Sequence, residues 1–200
     1  WEKPLGLHAL CPAFGRPLRS WGKLGRACGL TISPSPFPFR LRKDGRGEER
    51  RMLYLEDMKI GQKASFGNYR VTRDEVIDFA SKYDPQPFHL DDDAAAKTHF
   101  GRLSASGWHT AAMTMSMLVE NLKNAKQAGL GSPGLDELRW LKPVYPGDTL
   151  RVETELTDVR PSRSRPEMGS IHSLVTVFNQ DDVPVMTMKS IGLVATRPKT

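Results

Sequence analysis

The run Gly107-Trp108-His109-Thr110-Ala111-Ala112-Met113-Thr114-Met115-Ser116-Met117-Leu118-Val119-Glu120-Asn121-Leu122-Lys123-Asn124-Ala125-Lys126 repeats its apolar residues at a helical period. Trp108, Ala111, Ala112, Met115, Leu118, Val119 and Leu122 follow steps of three and four and share one face. Met113 and Met117 extend the apolar coverage beyond a single stripe. A helix apolar over most of its circumference calls for burial, and Trp108 and the methionines read as core. Gly129, Gly131, Pro133 and Gly134 are expected to end it.

Beyond that point the period changes from helical to alternating. Leu150, Val152 and Leu156 alternate with Arg151, Glu153 and Glu155, the pattern of a half-buried strand. Residues 171–179 and 183–194 read as two more strands, joined by a hairpin turn at Gln180-Asp181-Asp182. Residues 135–144 read as a fourth, closed by Tyr145-Pro146-Gly147-Asp148. Upstream, residues 63–69 suggest a short strand. Thr72-Arg73-Asp74-Glu75 has the form of a reciprocal capping box, opening a helix that ends near Tyr83. Residues 91–97 suggest a short helix with acids at its positive end. One buried helix followed by antiparallel strands predicts an α+β fold, its curved sheet wrapped around that helix.

Chemistry concentrates in two short segments. Asp84-Pro85-Gln86-Pro87-Phe88-His89 sets an acid and an imidazole five residues apart on a loop that two prolines stiffen and are expected to hold extended. Such a loop can hold both groups over one point, where they could move a proton to or from water. Ser104-Ala105-Ser106-Gly107 opens the long helix. Ser106 suits the N-cap, and Gly107 leaves room for a group to approach the free N–H donors there. Those donors could hold a carbonyl oxygen as it gains charge.

Taken together, the two segments resemble the MaoC-like dehydratases, which include the (R)-specific enoyl-CoA hydratases and have the hot-dog fold. The resemblance rests on Tyr83-Asp84-Pro85-Gln86-Pro87-Phe88-His89-Leu90-Asp91, on Phe100-Gly101, on Ser106-Gly107, and on the turn from Pro143 to Leu150. It covers nearly all of residues 52–197. Gln86 stands where the hydratases usually have Asn, and Ser106 where many have His. A small hydroxyl residue along the long helix often supports the family's catalytic Asp, and Thr114 and Ser116 are the nearest candidates.

The resemblance implies reversible hydration of a trans-2-enoyl thioester of coenzyme A, without metal or redox cofactor. Asp84 and His89 would share the attacking water, and the Gly107 N–H would meet the charge on the thioester oxygen. Ser106 is expected at the substrate, and Arg163 and Arg165 of the Arg160–Arg165 turn could meet coenzyme A phosphates. Hot-dog proteins pair, so a homodimer or higher homo-oligomer is implied. Two other readings compete: a hot-dog acyl-CoA thioesterase, which would usually lack the paired Asp/His loop, and a non-catalytic acyl-thioester-binding module.

Composition sets the remaining bounds. The chain has 200 residues and a formal charge of +6, with a sequence pI near 9.4 and a mean hydropathy of −0.45. No window approaches the roughly 18 apolar residues of a membrane helix. Two cysteines suit a reducing compartment, and a cytoplasmic location is expected. Asp91-Asp92-Asp93 cannot converge on one ion, and His99, His109 and His172 lack ligand spacing.

The basic pI invites a nucleic-acid reading, but the charge is uneven. Residues 1–51 carry 11 Lys and Arg against 4 Asp and Glu, with 6 Pro and 7 Gly; residues 52–200 carry 18 against 19. The first segment reads as disordered or loosely attached. Three readings of this segment compete: a transit peptide, a basic arm for nucleic acid, and a translated leader ahead of Met52. Gly47-Glu48-Glu49, the in-frame reading of a purine-rich ribosome-binding sequence, favours the leader. The remaining domain is close to neutral, so no nucleic-acid partner is expected.

Overall fold

The computed structural model describes residues 51–199, so the reading of the basic N-terminal segment lies outside the described residues. The elements run β1 (Lys63–Arg70), α1 (Arg73–Tyr83), α2 (Asp92–Ala96), α3 (Gly107–Asn124), β2 (Gly129–Trp140), β3 (Thr149–Pro161), β4 (Met168–Phe178) and β5 (Pro184–Ala195). The strands form one antiparallel sheet in the order β1-β3-β4-β5-β2. The expected α+β design, a sheet wrapped around the long helix, is present.

Alternation in β3 places Leu150, Val152 and Leu156 inside while Glu153 and Glu155 stay outward or at the margin. Leu150 and Val152 meet Val175 and Val177 of β4 and Met186 and Met188 of β5 in the main core. Each fully buried side chain of this kind contributes about 1.5–3 kcal/mol. The β4–β5 turn closes where expected, with Asn179 N–H donating to Val183 O at 3.1 Å. A second, smaller core of Leu55, Leu156, Ile171 and Val194 fills the other end of the sheet.

The face of α3 that enters the core is not the one its apolar stripe suggested. Thr110, Met113, Thr114 and Met117 are buried, whereas Trp108, Met115, Val119 and Leu122 on the opposite side are exposed. The inward threonines return their hydroxyls to the helix itself, Thr114 to Thr110 O at 2.8 Å and Thr110 to Ser106 O at 3.3 Å. Small, self-satisfied residues let the helix lie close on the sheet, and the unbranched methionines fill what space remains.

Three local expectations are also corrected. Residues 129–134 do not form a break; they are the first half of β2, which ends at Trp140 and leaves 141–148 as a loop. An edge strand tolerates this because its pairing with β5 shifts register three times, and Gly131 sits at φ +110°. Thr72 does cap α1, accepting from Glu75 N–H at 3.4 Å. Glu75, however, does not complete a box, since its carboxylate takes the Tyr69 hydroxyl and faces His109. Finally, Pro87–His89 is a single 3-10 turn rather than extended loop. Among the described residues no helix is long and apolar enough to cross a membrane, and no three His, Cys, Asp or Glu side chains cluster as a metal site.

Candidate active site

Asp84 closes α1 as its C-cap, with its N–H bonded to Ala80 O at 3.0 Å. Pro85 then turns the chain sharply, Gln86 N–H reaching Asp84 O at 2.7 Å, and the 3-10 turn that follows carries His89 inward. His89 is 4% exposed. Its Nδ1 lies 2.8 Å from Ser104 O. A carbonyl can only accept, so Nδ1 carries the proton and, in the neutral ring, Nε2 holds the lone pair. That Nε2 stands 3.6 Å from Asp84 Oδ2. The two groups converge, as the proline-braced spacing suggested, at a separation too long for a strong direct hydrogen bond.

The start of α3 supplies the rest. Ser106, its N-cap, accepts from Trp108 N–H at 3.2 Å and donates its own hydroxyl to Asp84 Oδ2 at 2.6 Å. Gln86 Nε2 donates to Asp84 Oδ1 at 2.7 Å. Burial pushes the Asp84 carboxyl up, but the bonds from Ser106 and Gln86 and the nearby His89 outweigh it and hold the group below its ordinary range. Asp84 sits at the negative end of α1 and bonds the N-cap of α3, so the two helix dipoles act on its carboxylate in opposite senses.

The expected turn after Pro143 fixes this geometry from behind. Ala105 N–H donates to Val144 O at 2.8 Å, and the Tyr145 hydroxyl to Phe100 O at 3.0 Å. These two bonds pin the segment that carries both Ser104 O and Ser106.

Gly107 follows directly, within the first helical turn, where backbone donors have no partner inside the helix. Its missing side chain is explained by Trp140. A Cβ at 107 would lie 2.6 Å from the indole Cε2 and 2.7 Å from Cδ2.

Other predicted positions fall elsewhere. Thr114 and Ser116 do not support Asp84; Thr114 bonds within its helix and Ser116 is exposed, while Ser106 takes that role. Arg163 and Arg165 sit exposed in the turn between β3 and β4. Register shows how far away that is. Trp140 aligns with Met186, Met186 with Val177 and Val177 with Val152, whereas the turn begins past Pro161. About 30 Å of strand separates the two levels. The chain does not bring these arginines to its own Asp84 and His89.

A second cluster escaped the sequence reading. His109, 2% exposed, points Nε2 at Glu75 Oε1 at 3.5 Å and lies flat on Phe79, centroids 4.6 Å apart. Its Nδ1 is buried without a hydrogen-bond partner. Burial pushes the imidazole pKa down, opposed by Glu75. Burial and the bond to Glu75 push the Tyr69 phenol well above its ordinary value. No local pattern of residues 69, 75 and 109 announces this grouping.

The MaoC like domain matches residues 57–177, which include Asp84, His89 and Ser106. Over 123 residues the chain is 30% identical to the 3-hydroxybutyryl-CoA dehydratase of Methylorubrum extorquens, covering 60% of this chain and 74% of that one. Over 112 residues it is 31% identical to the (R)-specific enoyl-CoA hydratase of Aeromonas caviae, covering 56% and 80% respectively. The crystal structure of a MaoC-like dehydratase from Rhodospirillum rubrum superposes with a TM-score of 0.67 at 39% identity, covering 74% of this chain and 99% of the other. The chain belongs to the MaoC-like domain family and has the hot-dog fold.

Proposed function

We propose that this protein is a hydratase/dehydratase that adds water reversibly to a trans-2-enoyl thioester of coenzyme A. The observation that carries the reading is the convergence of Asp84 Oδ2, His89 Nε2 and the start of α3, with Ser106 joining the acid to the helix. Water held between carboxylate and imidazole loses a proton to the pair as its oxygen bonds to C3 of the enoyl chain. The pair returns a proton to C2, so no net proton is consumed. The charge that passes onto the thioester oxygen is met by the Gly107 N–H, a type of donor worth about 3–4 kcal/mol of barrier.

The test is loss of the enoyl ultraviolet absorbance over a panel of enoyl-CoAs of different length and branching. Asp84→Asn and His89→Ala are each expected to lower kcat by about 10³-fold or more with the fold intact by circular dichroism. Retained activity in both removes the proposed roles. Release of free thiol in place of hydration supports a thioesterase, and neither signal supports a binding module.

The same reading takes a second copy of the chain as partner. The outward face of α3 exposes Trp108, Met115, Val119 and Leu122, and β2 and the loop after it expose Leu130, Leu135, Trp140 and Leu141. A standard interface buries about 800 Å² per partner, and these exposed apolar side chains are the surface offered to it. Antiparallel pairing of two β2 edges would invert the partner's sheet and carry the partner's Arg163 and the partner's Arg165 toward the Trp140 end, where coenzyme phosphates would emerge. Light scattering checks this: a monomer at micromolar concentration removes the pairing.

A further inference from the structure

Trp140 ends β2, thirty-three residues from the start of α3, yet it touches that start twice. Its indole N–H donates to Gly107 O at 2.8 Å. Its ring lies so close to Gly107 that any Cβ there would meet three indole atoms at 2.6–2.9 Å. Trp108 packs edge-on against the indole, centroids 5.3 Å apart. The indole therefore holds one residue by a hydrogen bond and by contact, and that residue supplies the N–H proposed to meet the substrate carbonyl. Its neighbour Ser106 donates to Asp84.

We propose that Trp140 is a positioning residue for the carbonyl-binding end of the site, holding Gly107 from its carbonyl side and by ring contact so that its N–H points at the thioester oxygen. The role rests on the hydratase reading and deepens it. A donor worth about 10²- to 10³-fold in rate must be held in one direction before the charge develops, because reorienting it during reaction would consume the gain. The first turn of a helix frays most easily, and Gly107 has no side chain of its own to anchor it. The bond from Trp140 holds the carbonyl of the Gly107–Trp108 peptide, and the ring packed against Gly107 limits how the adjoining Ser106–Gly107 peptide, which carries the N–H, can turn. Glycine at 107 is accordingly required by the indole, not by an unusual backbone angle.

Wild-type hydration is measured first; its absence overturns the hydratase reading and this role with it. With turnover present, Trp140→Phe keeps most of the ring contact and removes the donor. It is expected to lower kcat about fivefold with KM within twofold and little change in Tm, the loss of one neutral hydrogen bond expressed in rate. Trp140→Ala is expected to lower kcat further. A packing role would instead lower Tm in both variants and leave kcat of the folded protein unchanged, and that result overturns the proposal while the hydratase reading stands. Gly107→Ala supplies an independent check through stability. It should destabilise the wild-type chain strongly and the Trp140→Ala chain hardly at all. Equal destabilisation in both backgrounds shows that the indole does not constrain Gly107, and it too overturns the proposal.

Discussion

Two clusters of acid, imidazole and hydroxyl hang on the first turn of α3, three residues apart along the helix. One joins Asp84, His89 and Ser106; the other joins Glu75, His109 and Tyr69. Their inventories match, but their wiring differs. In the first, Ser104 O claims the imidazole Nδ1–H, which leaves Nε2 as a lone pair turned toward the acid. In the second, Nδ1 is buried with no partner and the ring lies flat on Phe79. Asp84 receives donors on both oxygens and stays ready beside His89. Glu75 is tied to a phenol from β1 and so joins β1, α1 and α3. The lesson is that a triad of residue types becomes a site through the partner of its far nitrogen, and otherwise serves as a strut.

Paired substitutions can break that comparison. The widest gap is expected between His89→Ala, with kcat down about 10³-fold or more, and His109→Ala, which should lower Tm but leave kcat of the folded protein within about twofold. If His109→Ala abolishes turnover in a folded chain, the second cluster is part of the machinery and the distinction fails. A narrower gap separates the hydroxyls. Ser106→Ala strips one of two donors from Asp84 and should lower kcat by about 10- to 100-fold. Tyr69→Phe should leave kcat unchanged and cost about 1 kcal/mol of stability in a denaturant titration.

How much of this could be read from residues alone differs by element. Asp84 and His89 were legible through the resemblance that their spacing and the later Ser106-Gly107 carry together, while the two prolines alone suggested an extended loop where Pro87–His89 is a 3-10 turn. The strands β3 to β5 were legible because one of their faces is buried within the chain. For α3 the period gave the helix but not its inward side. The stripe from Trp108 to Leu122 has the stronger apolar pattern and still faces outward, since periodicity reports that a face is apolar and not what lies against it. Glu75 defeats the local capping rule for a similar reason: the buried demands of Tyr69 and His109 outcompete the N-cap backbone for its carboxylate. Ser106 was legible as the cap of α3, whereas its bond to Asp84 spans from α3 to the end of α1 and no spacing encodes that.

The smallest expected effect is a pH slope, and it too separates the clusters. His109 has a folded pKa below its ordinary 6.5, chiefly through burial, so between the two values the unfolded chain binds a proton that the folded chain does not. Stability from this source is complete above 6.5 and declines as pH falls toward the folded value. Phe79 and Glu75 of α1 and Tyr69 of β1 face the ring, and Glu75 alone among them opposes the shift with charge. Replacing His109 by Phe removes the titration and the orphaned Nδ1 together. The loss of Tm between a pH above 6.5 and one below it should therefore shrink in His109→Phe. Asp84 acts in a different window: its carboxyl is held below the ordinary 3.8, so its contribution is intact above that value and is lost only in stronger acid. Asp84→Asn should leave the slope near 6.5 as it is in the wild type. An unchanged slope in His109→Phe would mean that the buried ring accepts a proton in place, and Glu75 would then be its counter-ion rather than a strut.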